Sequence, residues 1–81
     1  MNKITVRALA TSVGPLIKGQ GQNDPDRRLL CFDVIDDNGI CDRRSAYLTG
    51  NAAHKCLIRF GEELIIIYHN TRFGWEIVSM L

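Results

Sequence analysis

Residues 42–67 read DRRSAYLTGNAAHKCLIRFGEELIII, and this stretch decides which fold the sequence predicts. Its first part alternates between polar and apolar residues as far as Leu48, and its last part is rich in β-branched residues; both patterns are typical of strands. Between them, apolar residues recur at i, i+3, i+4 and i+7, which is the stripe of an amphipathic helix. Asn51 is a suitable N-cap, and Gly61 suits the left-handed position after a last helical turn. We therefore predict one short helix from Asn51 to Phe60 between two strands.

The other periodic segments of the chain are also typical of β-structure. Alternation with frequent β-branched residues predicts five strands, at residues 3–13, 27–36, 40–48, 62–69 and 75–81. Asn38-Gly39 is a strong hairpin signal between the second and third strands. A connection of five residues, 70–74, should join the fourth and fifth strands. The side chains expected in the core of the middle strands are Leu30, Phe32, Val34, Ala46 and Leu48.

The order of these elements indicates a fold class. Five strands with one helix before the fourth is the connectivity of the OB-fold, a small Greek-key barrel. We therefore predict one all-β domain over residues 1–81, a five-stranded OB-fold barrel with one short helix between strands three and four. A chain of 81 residues buries a limited core, so oligomerisation would be a natural further source of stability.

Composition places the chain among ordinary globular proteins. Its hydrophobic content is 46% and its charged content 23%, and both values argue against disorder. No apolar run approaches the roughly 20 residues that a membrane-spanning helix needs, and the first residues lack the apolar core of a signal peptide. We therefore expect a cytoplasmic protein. The net charge of only +1 weakens a nucleic-acid-binding interpretation, although Arg27-Arg28 and Arg43-Arg44 allow a locally basic surface.

Catalytic and metal-binding patterns are missing from the sequence. The 3 cysteines are an odd number without a C-x-x-C pair, and neither histidine stands at zinc-ligand spacing from a cysteine pair. We expect reduced thiols, with Cys31 and Cys56 packed in the core. No Ser-His-Asp set and no pair of carboxylates can be argued from spacing. The sequence therefore predicts a binding protein that is not an enzyme and that uses no cofactor or metal.

Cations and aromatic rings gather near the predicted third strand and the neighbouring loops. Binding of single-stranded nucleic acid requires cations for the phosphates and flat side chains for the bases. The face of strands two and three, with two adjoining loops, is where OB-folds bind oligonucleotides. The candidate nucleic-acid-binding residues are Lys18, Arg27, Arg28, Arg43, Arg44, Tyr47, Arg72, Phe73 and Trp75.

Each candidate also has an ordinary structural explanation. Phe73 and Trp75 could belong to the core or to an interface. The two arginines of the third strand could pair with aspartates of the hairpin, with Asp42 and Asp36 as partners. The glycine-rich loop over residues 14–26 could be a hairpin tip without order, or a flexible basic clamp that uses its lysine and the arginine pair at its end.

Residues 46–50, AYLTG, lead through the predicted helix to residues 61–66, GEELII, and residues 76–78, EIV, follow in the last strand. This pattern resembles the bacterial single-stranded-DNA-binding protein family and its primosomal PriB-like relatives. In that family an apolar strand ending in glycine leads into an alanine-rich helix, a glycine opens the fourth strand, and a strand similar to Glu-Ile-Val follows. The register holds over most of residues 3–81.

The sequence also departs from that family. Its stacking aromatics usually lie on strand three and near the end of that strand, where this chain has Arg43 and Thr49. The long hairpin between strands four and five is reduced to five residues, and an acidic C-terminal tail is lacking. These differences are similar to those expected of a reduced member, such as a phage or plasmid version.

The resemblance implies a function. It implies binding of single-stranded DNA, largely without sequence preference, by a homodimer or higher homo-oligomer, in DNA replication or primosome assembly with replication proteins as possible partners. Two alternatives stay open at this point. One is an OB-fold protein-interaction module that does not bind nucleic acid, and the other is an RNA-binding OB domain.

Overall fold

The computed structural model describes residues 2–21, 23–55 and 57–81. Within them, the chain forms five strands and one helix in the predicted order. The elements are β1 (Lys3–Val13), β2 (Arg27–Asp36), β3 (Gly39–Thr49), α1 (Asn51–Lys55), β4 (Glu63–Thr71) and β5 (Gly74–Met80). The described residues contain no helix of the length and apolarity that a bilayer crossing requires.

The five strands form one closed sheet. Their order around the barrel is β1-β2-β3-β5-β4, and β4 returns to pair with β1. Every pairing is antiparallel except that of β3 with β5, which run parallel and pair at Tyr47 and Glu76. This is OB-fold connectivity, so the predicted fold class is confirmed.

The core follows the period-2 alternation of the strands. The side chains predicted for the core of β2 and β3 are buried. The small Ala8 and Ala10 let β1 pass close to the two strands beside it, β2 and β4. Burial of a large apolar side chain stabilises a fold by about 1.5–3 kcal/mol. The buried set is Ala8, Ala10, Leu30, Phe32, Val34, Ala46, Leu48, Ala53, Leu64, Ile66 and Tyr68.

The hairpin of β2 and β3 extends beyond the barrel. β3 pairs with β2 from Thr49 to Gly39 but meets β5 only at Tyr47, and residues 39–45 are all exposed. We call residues 36–45 the β2–β3 arm. It contributes to the elongated outline of 43 × 26 × 18 Å.

The predicted helix is too long. α1 ends at Lys55, and after it Phe60 forms a β-bridge with Ala10. Only Ala53 of the predicted apolar stripe is buried among the described residues; Leu57 is 87% exposed and Phe60 52%. An isolated helix this short is unstable without packing, and the exposed Leu57 contributes little packing that could extend it. Cys56, also part of the predicted stripe, lies outside the described residues.

Two further expectations about local structure are wrong. The connection between β4 and β5 is not five residues long but two, Arg72 and Phe73, because Thr71 and Gly74 already pair. Gly74 takes a left-handed φ of 107°, which closes the tight turn at low steric cost. Cys31 is not in the core: it points outward from β2 and is half-buried.

Candidate nucleic-acid interface

Tyr47 lies at the join between β3 and β5 and is held on both sides. The guanidinium of Arg27 lies over the ring, with Cζ 5.3 Å from its centroid. On β5, Gly74 lies beside the ring, where an added Cβ would make an ordinary van der Waals contact at 3.7 Å. Arg27 Nη1 donates to Asp24 Oδ1 at 2.9 Å, which fixes the guanidinium in place. The guanidinium therefore covers one face of the Tyr47 ring.

The β4–β5 turn places two more rings beside this join. Phe73 is 42% exposed and Trp75 41% exposed, so neither is part of the core. Arg72 lies over Phe73 at 4.9 Å, and Trp75 packs its ring edge-on to Tyr68 with centroids 5.5 Å apart. Both exposed rings therefore keep surface on which a base could stack, while one side rests on the protein.

A narrow cleft connects these groups. Its free volume is only about 10 Å³, which suits one water and not a base. Thr49 Oγ1 donates to Glu76 Oε1 at 3.1 Å across the cleft and fastens β3 to β5. We call the following set the join cluster: Arg27, Tyr47, Thr49, Phe73, Trp75 and Glu76.

The two arginines of β3, Arg43 and Arg44, both lie on the arm but differ in how firmly other side chains hold them. Arg43 is 84% exposed and only loosely paired with Asp33, at 3.4 Å. Arg44 is held more firmly, because it donates to Asp42 at 2.8 Å and to the Tyr68 hydroxyl at 2.6 Å. These two bonds raise the pKa of Arg44, and the bond to Tyr68 contributes most. The bond from Arg44 in turn lowers the pKa of Asp42.

Asp42 does pair with an arginine, as the sequence allowed, but Asp42 and Arg44 are two residues apart on β3 and do not face each other across the hairpin. Asp36 Oδ1 accepts the N–H of Asn38 in the turn, and no arginine pairs with Asp36 in the described part of the chain. Arg43 pairs instead with Asp33, its direct cross-strand neighbour on β2. Open concavities of about 470 and 340 Å³ flank the arm, and Arg44 and Ser45 line both.

The β1–β2 loop is organised by two carboxylates. Asp26 accepts the N–H of Gly19 at 2.9 Å and contacts His54 Nε2 at 2.8 Å and Lys18 Nζ at 3.4 Å. The Gly19 bond and then the His54 bond lower the pKa of Asp26 to about 2. Asp24 accepts the N–H of Gln20 as well as the Arg27 guanidinium. Lys18 is 74% exposed and pairs with Asp26 about as loosely as Arg43 pairs with Asp33.

Arg28 lies apart from the join cluster. Its guanidinium donates to the Ala53 carbonyl of α1 at 2.7 Å and to the Gly14 carbonyl at 3.3 Å. It therefore connects the helix to the start of the loop. The structure brings together Arg27, Tyr47, Arg72, Phe73 and Trp75, places Arg43 and Arg44 along the arm, and leaves Lys18 and Arg28 in structural contacts.

Three residues of the site were not among the sequence candidates. Asp24 and Thr49 matter through the groups that they hold, and Glu76 places a carboxylate beside the rings. In the sequence, Glu76 belongs to an ordinary strand pattern, and no local signal distinguishes it. Comparison with protein families, characterised proteins and solved structures gives no match for this chain.

Proposed function

We propose that the protein binds single-stranded DNA, largely without sequence preference, through the join cluster and the arm. The observation that supports this best is the Arg27 guanidinium lying 5.3 Å over Tyr47 beside two half-exposed rings, Phe73 and Trp75. Stacking of bases on aromatic and guanidinium planes is tolerant of sequence because every base has a π-face. In other proteins of this fold, the face of strands two and three and the adjoining loops bind oligonucleotides; here Arg27 belongs to β2, Tyr47 to β3 and Phe73 to the turn between β4 and β5.

Electrostatic attraction should contribute modestly to this binding. Near the join cluster, only Arg72 has no ion pair in the described ranges, and Arg43 is loosely paired and exposed. Two phosphate contacts would give a slope of log K against log salt of about −1.4 for a single strand. Affinity should therefore fall only about sevenfold between 50 and 200 mM salt.

Titration of labelled dT oligonucleotides at these two salt concentrations tests the proposal. The protein contains one tryptophan, Trp75, so quenching of its fluorescence reports on the join cluster directly. We expect binding with quenching in both conditions. A Kd unaffected by salt would remove the phosphate contacts from the mechanism, and absence of binding at 50 mM salt would contradict the function. An RNA oligonucleotide of matched sequence separates DNA binding from general single-strand binding.

We further propose that the protein forms a homodimer through the outer face of β4 and β5. Ile65 and Leu81 exchange two backbone hydrogen bonds there, and their side chains are 41% and 69% exposed. Val78 adds a third exposed apolar side chain at a bulge in β5. Light scattering should give a mass near twice 9.1 kDa, and Val78→Asp should shift it toward the monomer. A wild-type monomer at high concentration would refute this.

The same apolar face supports a second candidate function, that of an OB-fold protein-interaction module. Exposed apolar side chains of this kind can mark an interaction surface. A role in replication or primosome assembly rests on the resemblance to single-stranded-DNA-binding proteins and would use both surfaces. If the oligonucleotides do not bind while the face still associates, the interaction module becomes the better proposal.

A further inference from the structure

One carboxylate lies inside the proposed interface. Glu76 projects from β5 directly beside Tyr47, is half-buried, and lines the cleft together with Arg27 and the two exposed rings. Within residues 2–21, 23–55 and 57–81, its polar contact is the hydroxyl of Thr49 and no salt bridge involves it. A carboxylate here repels phosphates, so it works against binding of the backbone at this point.

A carboxylate can, however, recognise the edge of a base. When ionised it only accepts hydrogen bonds, and its two oxygens have about four lone-pair sites. The bond from Thr49 uses one site on Oε1, which leaves acceptor capacity on both oxygens of Glu76. Guanine offers two adjacent donors, N1–H and N2–H₂, which match two carboxylate oxygens. Thymine offers one N–H between two carbonyl oxygens, which the carboxylate repels.

The shape of the cleft favours an edge over a whole base. Its free volume of about 10 Å³ does not admit a ring, whereas Phe73, which also lines it, is 42% exposed. A base stacked on Phe73 that turns its hydrogen-bonding edge toward the cleft would meet the Glu76 carboxylate. The position of the carboxylate thus suits recognition of one base and not enclosure of a nucleotide.

The other bases match this carboxylate less well than guanine does. Cytosine and adenine each offer one amino group, which matches the carboxylate less completely.

We propose that Glu76 makes the interface prefer guanine at one nucleotide position, with N1–H and N2–H₂ donating to its carboxylate. The inference rests on the proposed single-strand binding and adds one selective position to an otherwise unselective surface. Each good bidentate contact to a base discriminates by about 1–3 kcal/mol. A preference on the order of tenfold is therefore expected.

The test compares dT oligonucleotides that carry one central dG, one central deoxyinosine or no substitution. A single dG avoids structure formed by guanine runs, and deoxyinosine lacks only the N2 amino group. At about pH 8, where an ordinary histidine is neutral, wild-type protein should bind the dG oligonucleotide about tenfold tighter than all-dT, with deoxyinosine between them. Glu76→Met should bind all three equally and should bind all-dT at least as tightly as wild type.

A conservative variant separates recognition from structure. Glu76→Gln keeps an acceptor for Thr49 but has only one carbonyl oxygen, so the distinction between guanine and inosine should disappear even if Glu76→Met does not fold.

The outcomes are distinguishable. Equal wild-type affinity for the three oligonucleotides would overturn the inference and leave single-strand binding intact. A guanine preference that survives in Glu76→Met, or a guanine-over-inosine distinction that survives in Glu76→Gln, would also overturn it. Failure of every oligonucleotide to bind would instead contradict the proposed function.

Discussion

The two ends of strand β3 differ in how they present cations. At the barrel end, Arg27 is fixed over Tyr47 by its ion pair with Asp24, in half-buried surroundings. At the arm end, Arg43 is 84% exposed and only loosely paired with Asp33. Stacking on a fixed plane depends little on salt, whereas contact between an exposed cation and a phosphate depends strongly on it. Under the proposed function, the join cluster would bind bases and the arm would bind phosphates, so that a chain of net charge +1 could bind a polyanion.

The largest expected effect comes from removing the ring at the barrel end. Tyr47→Ala takes away the surface on which Arg27 rests, and the loss of stacking should raise the Kd for a dT oligonucleotide about 10- to 100-fold. The slope of log K against log salt should stay the same, because no phosphate contact is lost. Fluorescence anisotropy at several salt concentrations measures both quantities.

The matched control for this variant is Tyr47→Phe. It keeps the ring and removes the hydroxyl, so the Kd should change by no more than about twofold. Circular dichroism establishes that both variants remain folded. If Tyr47→Ala bound as tightly as wild type, the barrel end of β3 would have no role in stacking.

A smaller effect is expected at the arm end. Arg43→Ala should weaken binding about three- to fivefold at 50 mM salt, with the loss vanishing at high salt, because the cation is exposed and loosely held. The salt slope should fall by about 0.7. Arg59→Ala serves as the control, since Arg59 is an exposed arginine paired with Glu62 and lines neither the join cluster nor the arm concavities. Equal salt slopes in the two variants would contradict the proposal that the arm end of β3 contacts phosphates.

Releasing Arg27 from its ion pair should have the opposite effect and tighten binding. Asp24→Asn removes the carboxylate that pairs with Arg27 and leaves a surplus positive charge at the barrel end. Binding should tighten about two- to threefold at 50 mM salt, and the salt slope should become steeper by up to about 0.7. The same anisotropy series measures this. Weaker binding at every salt concentration would mean that Asp24 acts by positioning the guanidinium, with its charge unimportant.

Much of the barrel could be predicted from local sequence, because alternation and the Asn38-Gly39 turn act over a few residues. The helix end could not. Leu57 and Phe60 have helical spacing, but spacing does not reveal whether the barrel offers a surface for them, and Phe60 instead bridges to Ala10. The predicted five-residue connection failed for a related reason, since pairing of Thr71 with Gly74 depends on sheet register.

The site was predictable in part. Arginine, tyrosine and tryptophan are residue types that nucleic-acid binding uses, so sequence reasoning could single them out. Which of them meet depends on long-range pairing: Tyr47 reaches Glu76 only because β3 and β5 pair in parallel at that point. The same holds for Arg43. It lies opposite Asp33 because the register of β2 and β3 shifts between Val34 and Ile35. Contacts of this kind belong to the closed sheet and have no local signature.

The smallest expected effect is a loss of stability in acid, to which carboxylates near the two ends of β3 contribute. The pKa of Asp26 is lowered from 3.8 to about 2, chiefly by the Gly19 N–H and then by His54. A group whose pKa is lower in the folded state stabilises the fold above its unfolded pKa, and that stability is lost as the pH falls through the folded value. The free energy of unfolding should therefore decrease between about pH 4 and pH 2, where the Asp26 carboxylate that organises the β1–β2 loop becomes protonated.

Two single variants assign this acid sensitivity to the two ends of the strand. Asp26→Asn should remove the part of the pH dependence of the free energy of unfolding that comes from the β1–β2 loop. Asp42→Asn should remove the part that comes from the arm, where Arg44 lowers the pKa of Asp42. Urea unfolding at about pH 5, 4, 3 and 2 gives the free energy of each variant. Because both carboxylates are solvent-accessible, each change should be modest, and the Asp26 variant should differ more from wild type. If both variants kept the full wild-type pH dependence, neither carboxylate would be coupled to folding, and the loop that carries Asp24 toward Arg27 would depend on its backbone bonds alone.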